Sequence, residues 1–177
     1  MKGWALTELG RADEGLALTR EHIEALSASR SEHFLTLHMA TLADACLSAG
    51  RIEQGLKAIG EALDLVRRSG ECFWAAEIHR IRGELLLHQS PSDPALARAS
   101  VEHAIEVARQ QGAKSLELRA ACSLARILRE SARRDEARAM LAEIYNWFTE
   151  GFDTADLKDA KALLEELQAR PVLGEQR

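Results

Sequence analysis

Apolar side chains in this chain recur at helical spacing, and one arrangement returns four times. Counted from Gly15, Gly55, Ala97 and Ala137, the position four residues on holds Thr19, Ile59, Val101 and Leu141. Seven on stand His22, Ala62, Ala104 and Ile144; eight on stand Ile23, Leu63, Ile105 and Tyr145. Eleven on come Leu26, Val66, Ala108 and Phe148. These offsets trace one face of an α-helix. His22 and Thr19 fit it least, and both belong to the first copy. The anchors are 40, 42 and 40 residues apart. Glycine inside a helix costs roughly 1 kcal/mol against alanine, so Gly15 and Gly55 predict a close helix crossing.

The helix before each anchor repeats independently. Gly3, Ala43, Gly83 and Ala125 follow one another at steps of 40, 40 and 42, each followed three residues later by Leu6, Cys46, Leu86 or Leu128. Both columns put the two extra residues between Gly83 and Ala97, where Gln89 to Pro94 holds two of the three prolines. Asp93 and Pro94 there predict an N-cap and a first helical residue. The turn Ala49-Gly50-Arg51 before Gly55 also stands as Leu9-Gly10-Arg11 before Gly15, and degenerately as Ala132-Arg133 before Ala137. After a remnant ending at Gly10, helices are predicted over 12–29, 31–49, 52–69, 71–89, 94–111, 113–131 and 133–150. Gly50, Gly70, Gly112 and Gly151 stand where left-handed C-terminal glycines belong. A last helix over 155–170 carries Leu157, Ala160, Leu164 and Leu167 on one face. Such helices with short loops make antiparallel neighbours. The fold class is all-α, an α-solenoid forming one domain over 1–177. Its units are 1–29 (truncated), 31–69, 71–111 and 113–150, closed by a cap helix over 154–170.

Composition narrows the function. Apolar residues make up 46% and charged residues 29%, with a formal charge of −5 and both signs interspersed. The most basic stretch, Arg109 to Arg138, also holds Glu117, Glu130, Asp135 and Glu136, so it is read as a solvated face and no nucleic-acid partner is expected. Cys46, Cys72 and Cys122 are an odd count without CxxC, which fits buried thiols in a reducing compartment. No run approaches the roughly 18 apolar residues of a membrane span, and no signal peptide opens the chain. A cytoplasmic, membrane-free setting is expected. The six histidines show no metal-binding spacing: His33 and His38 are five apart, and His79 and His88 are more than two turns apart. No GxSxG, SxxK or glycine-rich phosphate loop occurs, so neither catalysis nor a metal or cofactor is expected.

The small-residue columns in both helices resemble tetratricopeptide repeats, with each unit about six residues longer than the usual 34. The consensus aromatic positions are aliphatic here, as at Cys46, Leu86 and Leu128; HEAT-like repeats are the alternative. The resemblance implies that the first helix of each unit lines a groove. Its candidate residues are Asp44 and Leu47, then Glu77, Arg80, Glu84 and His88, then Arg119, Cys122, Arg126 and Arg129. Arg119, Arg126 and Arg129 fall roughly on one stripe that could hold a carboxylate or an acidic peptide. The same arginines could instead pair with Glu84, Glu117 or Glu130 across neighbouring helices.

Gly3-Trp4-Ala5-Leu6 matches the middle of the first helix in the other units. About two turns are therefore expected to precede Met1 in a parent protein, or their place to be taken by a partner or a second copy. The run Tyr145-Asn146-Trp147-Phe148-Thr149-Glu150-Gly151-Phe152-Asp153-Thr154 is the most distinctive. Together with Phe73 to Leu87 and Gln111 to Arg119, it resembles the C-terminal repeat region of large bacterial adenylate/guanylate cyclases and ATPase-bearing transcriptional regulators. The resemblance implies a cyclase or DNA-binding domain and a P-loop ATPase ahead of the repeats, none of them in this chain. Physically, Trp147, Phe148 and Phe152 are expected to pin the last hairpin. The expected function is a non-catalytic protein–protein interaction scaffold in a signalling or regulatory protein. An oligomerisation element using the N-terminal edge, or a small-molecule sensor in the groove, are the alternatives.

Overall fold

A computed structural model describes residues 2–28 and 34–169. The described residues form nine α-helices: α1 (Lys2–Glu8), α2 (Ala12–Ala28), α3 (Leu35–Ser48), α4 (Ile52–Ser69), α5 (Ala75–Gln89), α6 (Ala95–Gln110), α7 (Lys114–Glu130), α8 (Arg134–Tyr145) and α9 (Ala155–Gln168). Consecutive helices pack as antiparallel neighbours. Each odd-numbered helix also touches the next odd-numbered one, up to α9 against α7. No two even-numbered helices touch among the described residues. The odd helices therefore lie on the inside of the stack and the even ones outside, as in a helical solenoid.

The two columns of small residues meet each other. A Cβ built on Gly3 would stand 2.6 Å from the Gly15 carbonyl oxygen and 2.1 Å from Thr19 Oγ1. One built on Gly83 would stand 2.9 Å from the Ala97 oxygen and 2.4 Å from Val101 Cγ2. Thr19 and Val101 share a column, so the first and third pairs touch at matched places. In the second and fourth pairs the matching residues, Ala43 and Ala125, are fully buried. The anchors Gly15, Gly55, Ala97 and Ala137 are all buried, as are all four residues one turn on. His22, the weakest column member, is exposed.

The turn inside three of the four units is also shared, the exception being the longer connection between α5 and α6. Arg11 N–H donates to the Leu6 carbonyl at 2.9 Å, Arg51 to Cys46 at 2.8 Å and Arg133 to Leu128 at 2.9 Å. This six-to-one bond is half of a Schellman close, and it requires a left-handed residue just before the arginine. Gly10, Gly50 and Ala132 take that conformation, with φ of 80°, 69° and 57°.

Several boundaries differ from expectation. α8 stops at Tyr145, so Gly151 ends no helix; its φ of 79° belongs to the turn leading into α9. Trp147 and Phe152 are 58% and 47% exposed, leaving Phe148 as the one of the three packed on the core. On α9 Leu163 is buried and Leu164 only partly so. α6 begins one residue late: Pro94 occupies the N-cap, and the Asp93 carboxylate accepts from Ala95 N–H at 3.3 Å. α5 starts at Ala75 because Cys72 to Ala75 form a turn, and Cys72 is exposed where a buried thiol was expected. Ser31 and His33 lie outside the described residues.

Candidate functional site

The inner helices carry a chain of charges. On α5, Glu77, Arg80 and Glu84 stand one turn apart on one face, a spacing at which side chains on a helix meet. Arg80 is 94% buried by its own relative exposure of 6%, and its guanidinium is gripped from both sides. Nε and Nη2 donate to the Glu77 oxygens at 3.0 and 2.6 Å, and Nη1 lies 2.6 Å from Glu84 Oε1. Burial opposes the charge on Arg80, but the hydrogen bonds to Glu77 and the charges of Glu84, Glu77 and Asp44 outweigh it, holding the pKa above its ordinary value. Removing a buried cation from water is costly, and this set of partners offsets the cost.

Neighbouring helices extend the network. From α7, Arg119 Nη2 reaches Glu77 at 2.8 Å, and the Ser123 hydroxyl donates to Glu84 at 2.6 Å. From α3, Asp44 lies 3.8 Å from Arg80 Nη2, and from α1 the Trp4 indole N–H donates to Asp44 at 3.2 Å. Burial pushes the Asp44 carboxyl up, with Arg80 and the Trp4 N–H opposing. Four inner helices thus meet through one continuous polar ladder. A cavity of about 270 Å3 opens beside it, walled by Trp4, Asp44, Trp74, Glu77, Ile81 and Arg119.

Asp44, Glu77, Arg80, Glu84 and Arg119 are therefore brought together. Arg126 and Arg129 are not: they clamp α9, Arg126 on both Asp159 oxygens at 2.7 and 2.8 Å, Arg129 on Glu166 at 2.7 Å and Glu130 at 2.8 Å. Arg134 adds hydrogen bonds to the Glu166 and Ala169 carbonyls. His88 is exposed near the end of α5, outside the network. Leu47 packs on the core, and Cys122 is buried, its thiol pushed up to about 12 mainly by burial. Two of the expected alternative partners are engaged otherwise: Glu84 holds Arg80 and Ser123, and Glu117 holds Arg109 and Lys114, both at 2.7 Å. Trp4, Ser123 and Trp74 were not singled out from the sequence. Trp4 shares a column with Asp44 and Glu84, each one residue past a small anchor, and that alignment was available to find it.

Other features stand apart from the ladder. A larger cavity, about 670 Å3, sits between the start of α8 and the end of α9. Another, of about 470 Å3, lies at the first unit between the later turns of α2 and the early turns of α3. Two histidine pairs stack edge to face, His22 with His38 at 4.6 Å and His79 with His103 at 4.5 Å. Among the described residues no group of three or more His, Cys, Asp or Glu is placed to hold a metal ion. None of their helices is long and apolar enough to cross a membrane.

The fold defines an all-α protein of stacked helix pairs with a polar seam along its inner face. No family model matches the sequence. Over 115 residues the chain is 33% identical to an uncharacterized protein of Rhizobium meliloti (strain 1021), a stretch that is 64% of this chain and 10% of that protein. The chain thus corresponds to a small part of the relative it matches.

Proposed function

We propose that this chain is a non-catalytic protein–protein interaction module of the tetratricopeptide-like kind, with the inner face of the odd-numbered helices as its binding groove. The observation that carries the reading is the cavity beside the Asp44–Arg80–Glu77–Arg119 ladder, where polar groups from four helices converge at one place on that face. A fixed set of charges and indoles on a rigid scaffold suits recognition of an extended peptide or a partner's surface segment. The groups nearest to chemistry, Cys122 and Arg80, are locked in unreactive states by burial and pairing. The matched stretch is only 10% of the bacterial relative, which supports a place within a larger protein; a signalling or regulatory parent is what the resemblance of the sequence to cyclase and regulator repeat regions implies.

A photo-crosslinking amino acid tests the groove. Placed at Leu37, on the wall of this cavity alone, it is expected to capture a partner that the same group at Lys57, exposed on α4, does not. Identical capture from both positions would overturn the reading. The 470 Å3 cavity favours a second reading, self-association through the first unit. Its walls, including Leu18, His22, Ala25 and His38, belong to the α2–α3 region that faces the start of α1. Sedimentation over a concentration series decides it: growth in mass that Ala25→Arg abolishes supports pairing there, and a monomer throughout excludes it.

A further inference from the structure

We propose that the inner-face cavity between Trp4 and Trp74 takes the basic side chain, lysine or arginine, of a partner peptide, with Asp44 as its counter-ion. The inference rests on the groove reading and specifies what the groove selects. Charge is the first argument. The ladder sets three carboxylates, Asp44, Glu77 and Glu84, against two guanidiniums, Arg80 and Arg119, which leaves one negative charge unmatched. Distances show which one. Glu77 and Glu84 each hold a guanidinium nitrogen at 2.6 Å, whereas the nearest cation to Asp44 is 3.8 Å away and its closest donor is an uncharged indole N–H at 3.2 Å. Asp44 also lines the cavity, and its side chain is 31% exposed. A cation arriving there would find an acceptor whose charge the protein does not itself neutralise.

The walls match the rest of such a side chain. Leu37, Ala40 and Ile81 offer apolar surface for a methylene stem. The Trp4 indole, 38% exposed, and Trp74 both line the cavity, and an indole face attracts a cation. An acidic ligand would meet the reverse situation. The cavity's one cation, Arg119, is already matched by Glu77 at 2.8 Å, and the chain's net charge of −5 repels anions at longer range.

The test is a tryptophan-emission titration of the whole chain with hexalysine and with hexaglutamate. Hexalysine is expected to produce a saturable change and hexaglutamate none. Asp44→Asn should weaken hexalysine binding by about tenfold, the scale for removing one partner of a close charge pair. Glu143→Gln, at an exposed position on α8, removes the same charge away from the cavity lining and should leave binding unchanged. Trp4→Leu provides a second variant at an exposed position and should weaken binding about threefold or more. Equal loss from Asp44→Asn and Glu143→Gln, saturation by hexaglutamate, or no saturable change with hexalysine would overturn the proposal. Crosslinking from Leu37 that survives in Asp44→Asn would then show a groove that binds without a cation pocket, so the two readings fail separately.

Discussion

Ala132 holds a backbone conformation that its counterparts Gly10 and Gly50 assign to glycine, with the same six-to-one hydrogen bond closing each turn. A side chain in the left-handed region costs roughly 1–2 kcal/mol. Ala132→Gly is therefore expected to stabilise the protein by about 1 kcal/mol, part of the strain relief being lost to the freer unfolded chain. Chemical denaturation measures it, and a destabilised variant would mean the turn is not shared. His79 gives a second expectation. Burial first, then His103 and Arg82, push its pKa from 6.5 down to about 4. Between those values the unfolded chain binds a proton that the folded one refuses, so stability falls as pH drops through that window. His38 is lowered too and acts in the same direction. His79→Leu should therefore flatten, without abolishing, the fall in melting temperature between pH 7 and 5. An unchanged slope would show that His79 is protonated in the folded state.

At the scale of helices, the columns of small residues place α1 to α8 and their partners, while α9 lies in neither column. They work because a small residue at a crossing is a steric necessity, as the contacts of Gly3 and Gly83 show. The connection before α9 was misread for a physical reason. Ile144, Tyr145 and Phe148 continue the helical period, yet α8 ends at Tyr145, and short-range bonds from Trp147 to Ile144 and Phe148 to Tyr145 lead the chain out. The α9 face was read as Leu157, Ala160, Leu164 and Leu167, but Leu163 is the residue driven into the core. Leu163→Ala should cost about 3 kcal/mol and Leu164→Ala about 1 kcal/mol in urea melts. The reverse order would place α9 in a different rotation. Projection of the columns onto the inner face selects Asp44, Glu77, Arg80, Glu84 and Arg119, which meet in one network, together with Arg126 and Arg129, which pair with α9 instead; a column does not tell the two situations apart. Ser123 gave no signal, since a small residue between Cys122 and Leu124 reads as core.

Across the described residues most of the buried apolar side chains fall into two clusters, one from Leu16 to Leu85 and one from Ala97 to Leu167. α5 serves both, because Ile78, Ile81 and Leu85 belong to the first while Leu86 and Leu87 pack on the second. A stack of this kind opens from its less supported parts. Amide hydrogen exchange is expected to be fastest in α1 and α2 and slowest in α5 and α7; uniform protection along the chain would contradict this.

The ladder of charges is densest between α5 and α7 and thins to a single indole hydrogen bond where α1 meets α3. A spring wound in this way has stiff coils at one end and a compliant one at the other, and bending load gathers at the soft coil. Whatever grips Trp4 and Asp44 together would add a second tie across that soft coil.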